Sequence, residues 1–112
     1  MVAKLVLFFL LTASVLTNGN FRGNIAFGDT FGSHIIYQET HEKYAIPLVV
    51  RDETIIVKTM GNEVIKAIMV SDLKGGGRSY LVDGGIGRKT VTIKLESERG
   101  SGYKFLVQVY AI

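Results

Sequence analysis

His34 and His41 are the only histidines in the chain, and there is no cysteine. With no thiol present, they are the imidazoles on which a base titrating near neutral pH or a nitrogen ligand for a metal would have to rest. A base must reach a nucleophile and be oriented by a third group, and a metal needs several converging donors. Seven residues is an odd spacing, so on one regular strand the two histidines face opposite sides unless a bend near Thr40 intervenes. No Asp, Glu or His cluster at metal spacing accompanies them. Both read as surface or turn residues, and no catalytic residue, metal ligand or cofactor is expected.

Two glycine motifs come closest to other chemistry. Gly100-Ser101-Gly102 lacks the outer positions of the Gly-X-Ser-X-Gly elbow and falls in a bend between strands, whereas that elbow joins a strand to a helix. "GGIGRKT" (84–90) resembles a phosphate loop, but Arg88 stands where the motif requires lysine and a strand follows where a helix is needed. It reads as a turn, and Arg88-Lys89 as a solvated pair in preference to a processing site.

These residues must sit on a mainly β scaffold. "HIIYQET" (34–40), "AIPLVVR" (45–51) and "ETIIVKT" (53–59) are short β-branched or aromatic runs parted by polar breaks. Pro47 has no amide hydrogen, which sends its run to a sheet edge or a bulge. "MGNE" (60–63) reads as a turn. Residues 62–73 admit either a helix capped by Asn62 or a strand, and their β-branched Val64, Ile65, Ile68 and Val70 favour the strand. A slack glycine loop (75–77) and "RSYLVD" (78–83) follow. In the closing "VTIKLESERGSGYKFLVQVYAI" (91–112), Val91, Ile93 and Leu95 alternate with polar residues, and Tyr103, Phe105, Val107 and Val109 form a second apolar face. The bend between them reads as a hairpin, with Gly102 at positive φ and Ile93 beside Phe105. About seven strands with frequent turns predict one small antiparallel β-sandwich or barrel over 34–112, preceded by an irregular Gly/Asn-rich arm or short edge strand at 20–33.

The first residues read differently. Lys4 precedes the unbroken apolar run Leu5 to Leu11, and small or polar residues follow, which is the order of a secretory signal peptide. Cleavage is expected after Gly19, with the Thr12-Ala13-Ser14 stretch as the other compliant site. The mature chain would keep 93 of the 112 residues and, without Lys4, a formal charge of +2 in place of +3. That charge is dispersed among acids, as in "KLESERG", and forms no basic stripe for phosphates, so direct nucleic-acid binding is not expected. Without cysteine, sheet packing must supply the stability that disulfides give many small secreted domains.

The segments "GSHIIYQE" and "VSDLKGGGRSYLVDGGIGRKTVTIKLESERGSGYKFLVQVYA" resemble the multiprotein-bridging-factor-two family of arthropods, which includes salivary secreted peptides and response-to-pathogen proteins. The resemblance rests on Ile35-Ile36-Tyr37, Gly84-Gly85, Val91-Thr92-Ile93, Ser97 with Arg99-Gly100 and Gly102, and Val109-Tyr110. It spans residues 32 to 111. It departs at Ser33, where an acidic residue is looked for, and in the glycine-rich loop after Lys74. The pattern consists of turns and core strands, so it brings no site residue with it.

The resemblance implies two functions. One is a secreted, extracellular, non-enzymatic β-domain that binds a protein or a microbial or host surface ligand, free of the membrane once its leader is cut, as a monomer or weak edge-strand dimer. The alternative is a transcriptional co-activator acting as a protein-bridging module.

Overall fold

The computed structural model describes residues 23–112. The leader, its cleavage site and the start of the arm lie outside the described residues. The chain forms seven strands: β1 (Ile25–Gly28), β2 (His34–Lys43), β3 (Asp52–Lys58), β4 (Ile65–Asp72), β5 (Arg78–Gly84), β6 (Thr90–Glu96) and β7 (Tyr103–Ala111). They build two antiparallel sheets, in the orders β1-β4-β7-β2 and β3-β6-β5. This is the all-β arrangement expected.

The core lies between β6 and β7. Val91, Ile93 and Leu95 face Tyr103, Phe105, Val107 and Val109, all of them excluded from water. Period-two alternation gives each strand one apolar face, and stacking the two sheets is what buries both. Residues 62–73 resolve in favour of the strand, as β4, with Ile65, Ile68 and Val70 in the same core.

The closing strands do not form a hairpin. β6 pairs with β3 and β5, while β7 pairs with β2 and β4, so residues 97–102 carry the chain from one sheet to the other. Ile93 and Phe105 share the core from opposite layers. Each strand has an apolar face that needs a cover, and crossing between layers lets each face cover the other. Gly100 holds the positive φ (80°). Gly102 is required for space instead, because a Cβ there would run into the carbonyl oxygen of Lys43. Of the consecutive strands only β5 and β6 pair, through the turn that Arg88 N closes onto Gly85 O at 3.0 Å.

Residues 45–51 are not a strand. Val49 N donates to Ile46 O at 3.1 Å, Pro47 takes the second place of the resulting turn, and Leu48 takes the third at φ 68°. That is a type II turn, whose third place suits glycine. The Gly75–Gly77 loop is not slack either: the Asp72 carboxylate accepts from the amides of Lys74, Gly75 and Gly77 at 3.1, 2.7 and 3.0 Å. Inside the arm, the short edge strand forms, as β1.

Candidate functional site

A two-layer sandwich has two lateral seams where its sheet edges meet, and here they differ in character. At one seam β2 lies across from β3. β2 carries a bulge between Ile35 and Tyr37, so His34 pairs with Ala111 and His41 with Phe105, two residues on the same buried face of β7. The extra residue Ile36 reverses the parity of the seven-residue spacing, and both histidines turn to the core side, contrary to the opposite faces a regular strand would impose. They remain apart. His34 Nε2 meets Glu63 at 2.9 Å, whereas His41 sits deeper between Tyr37 and Glu53.

In the tautomer that satisfies both contacts, His41 Nδ1 donates to Glu53 Oε2 at 3.2 Å and Nε2 accepts from the Tyr37 hydroxyl at 2.6 Å. Glu53 Oε1 accepts a second bond, from the Tyr103 hydroxyl at 2.5 Å. A hydroxyl, an imidazole and a carboxylate in line have the order of a hydrolytic triad, but the hydroxyls are phenols held in their neutral form. Burial, reinforced by Glu39 and Glu53, raises the pKa of Tyr37. Burial and the bond to Glu53 push that of Tyr103 far up. Neither oxygen is prepared as a nucleophile, and the cluster pins β2 and β7 to β3. The bulge that brings it together leaves no signal in composition; the i, i+4 placement of Tyr37 and His41 was its one trace.

At the opposite seam β1 lies across from β5, and the layers are not filled. Ile25 and Phe27 are paired with Val70 and Ile68, while Ser79 and Leu81 are paired with Leu95 and Ile93, so all four hold core-facing positions. Yet Phe27 is 48% exposed. Between these walls runs a cleft of about 500 Å³, completed by Asn24, Ala26 and Tyr80. One end is tied shut: Ser79 Oγ donates to Gly23 O at 3.3 Å, and Asn24 Oδ1 accepts from Asp72 N at 2.8 Å. β1 and β5 are both terminal in their sheets, and among the described residues neither has a ladder partner on its outer side.

The chain matches the family model described as transcription activator MBF2 over residues 27–111, from within β1 to the end of β7. It belongs to that family. Among curated proteins and among solved structures, none matches the chain. In this MBF2 member the matched stretch holds the whole β2–β3 seam and, of the cleft, Phe27 and the β5 wall, while Asn24, Ile25 and Ala26 precede it. Among the described residues no group of three or more His, Cys, Asp or Glu side chains is placed to hold a metal ion. No helix among them is long and apolar enough to cross a membrane. The turn at 84–90 is followed by β6, so the helix N-terminus of a phosphate loop is missing there. Sequence reasoning missed the cleft, because its two walls are about fifty residues apart in the chain; the one available signal was the short apolar run Ile25-Ala26-Phe27 inside the Gly/Asn-rich arm.

Proposed function

We propose that this MBF2 protein is a non-enzymatic, protein-bridging module of the co-activator type, which takes an extended apolar segment of a partner protein into the cleft between β1 and β5. The observation that carries this reading is the cleft itself: the core-facing Phe27 left half covered, with a partly buried Leu81 on the facing wall, between two strand edges that still have backbone donors and acceptors to offer. An added strand satisfies both needs, since its main chain extends a sheet while alternate side chains fill the cleft. The family's description as a transcription activator supports a protein partner. The dispersed charge is a reason to assign any contact with DNA to that partner. In a reporter assay with a separate DNA-bound activator, the chain should raise transcription and Phe27→Glu should remove the increase. Stimulation that survives in a folded Phe27→Glu variant would refute the cleft.

A second reading keeps the same binding mode but places it outside the cell. It is favoured by Lys4 and the apolar run Leu5 to Leu11, which read as a leader. Expression of the full chain in cultured cells, with medium and nuclei assayed separately, divides the two. Protein in the medium beginning near Asn20 supports the secreted reading; protein in nuclei with Met1 intact supports the co-activator.

A further inference from the structure

The connection from β2 to β3 presents an apolar surface where a connection is usually polar. Tyr44, Ile46, Leu48 and Val49 are all large and exposed, Leu48 to 79%. Leu48 also holds a left-handed backbone at φ 68°, a conformation that a branched side chain resists and glycine adopts freely. Two unfavourable choices thus coincide at one residue: the backbone is strained, and the side chain it displays has no cover among the described residues. Strain that persists is held by its surroundings. Pro47 sets the turn, Arg99 Nη1 donates to Leu48 O at 2.9 Å, Gly100 N to Val49 O at 2.9 Å, and Arg51 Nη1 to Tyr44 O at 2.6 Å. The backbone that projects the leucine is held in place before anything meets it.

The charge around it is one-sided. Residues 43–51 contain Lys43 and Arg51 and no acid. Arg99 adds a third cation, with Glu98 the one acid in the 97–102 crossing. Arg51 and Arg99 hold the turn through neutral carbonyl oxygens, which leaves their positive charge uncompensated by those bonds. Asp52, next in the chain, turns to Lys94 at 3.8 Å on the outer face.

We propose that the Tyr44–Val49 turn is a second binding surface, and that it takes an acidic, leucine-rich or aromatic segment of another protein. The apolar side chains of that segment cover Leu48 and Tyr44, and its carboxylates lie against Arg51 and Arg99. The turn leaves β2, and the cleft lies at β1, the opposite edge of the same sheet. Two proteins can therefore be held at once without competing, which is what bridging requires. The proposal stands independently of what fills the cleft.

The test uses the full chain and three labelled synthetic peptides, alternating Glu with Leu, Glu with Ser, and Lys with Leu, read by fluorescence anisotropy. Leu48→Gly is the informative variant, because it removes the projection while relieving the backbone. The Glu-Leu peptide should bind, the other two should bind far more weakly, and Leu48→Gly should reduce the affinity about tenfold or more, as loss of an interface anchor does, with no fall in melting temperature. Thr54→Ala, on the outer face of β3 and away from both the turn and the cleft, should leave this affinity unchanged. Equal binding of the three peptides, or wild-type affinity in Leu48→Gly, would overturn the proposal. So would loss of binding in a folded Phe27→Ser alone, which assigns the peptide to the cleft. Leu48-dependent sedimentation with phosphatidylserine vesicles in place of peptide binding would make the turn a membrane contact, and Leu48-dependent dimerisation without peptide would make it a self-interface; either result overturns it.

Discussion

The Tyr103 hydroxyl donates to Glu53 Oε1 at 2.5 Å, joining an inner strand of one sheet to an edge strand of the other. Tyr103 is fully buried, and its pKa lies far above the ordinary tyrosine value of 10.0, first through burial and then through the carboxylate. Above pH 10 the unfolded chain releases this proton while the folded chain retains it. The contribution is therefore complete below that pH and is lost as pH rises toward the folded value. Stability measured by urea unfolding should fall steeply above pH 10, and Tyr103→Phe should make the fall shallower while costing about 1 to 2 kcal/mol at neutral pH for the lost bond to a charged acceptor. An unchanged alkaline slope in Tyr103→Phe would show that another group governs it.

Gly102→Val should unfold the domain or cost more than about 3 kcal/mol, because the new side chain meets backbone that cannot withdraw. Gly76→Val should cost only about 1 to 2 kcal/mol, the penalty of its left-handed φ, since the atoms it approaches belong to the flexible Glu98 side chain. Denaturation midpoints compare them, and equal midpoints would contradict the crossing at 97–102.

Phe105→Ala should cost about 3 to 5 kcal/mol, a large share of a small domain's stability. Phe105 is fully buried, packs against the Tyr103 ring at 5.6 Å between centroids, and closes over Gly77 so tightly that a Cβ there would lie 2.7 Å from its ring. Gly77→Ala should accordingly destabilise through the same contact. Calorimetric unfolding of the two single variants and the double variant should show the penalties failing to add.

Asp72→Asn keeps the shape of the side chain but exchanges one acceptor oxygen for a donor facing amides. Three amides converge on that carboxylate, so the substitution should cost about 1 to 3 kcal/mol and speed hydrogen exchange at Gly75 and Gly77. Unchanged exchange would contradict the fixed loop.

The strands that cross the core were legible because alternation is a local property: β4, β6 and β7 lie where Ile65 to Val70, Val91 to Leu95 and Tyr103 to Val109 place them. The pairing was not. The 97–102 bend fits a hairpin and an interlayer crossing equally well, and only the need to cover two apolar faces decides between them. "AIPLVVR" read as a strand because its apolar residues imply burial, and the structure exposes four large hydrophobic residues in and beside it. Pro47 was the local sign against a strand, and Leu48 after it completes the turn. In the same way β1 was obscured by its neighbours, Asn24 before it and Gly28 at its end, where a Cβ would collide with the carbonyl oxygen of Lys66. The histidine geometry depended on one unpaired residue, Ile36. The cleft depended on two strands meeting from distant parts of the chain.

Site-specific photocrosslinking from position 27 tests the bridging role most directly. A photoreactive phenylalanine analogue replaces the half-exposed Phe27 in the cleft, and in a control it replaces Thr54, exposed on the outer face of β3. In cells that produce the chain, position 27 should capture one protein partner, with crosslinks confined to a short extended segment of it, and position 54 should not capture that partner. Capture of the same proteins from both positions, or no protein captured from position 27, would contradict a partner strand seated between β1 and β5.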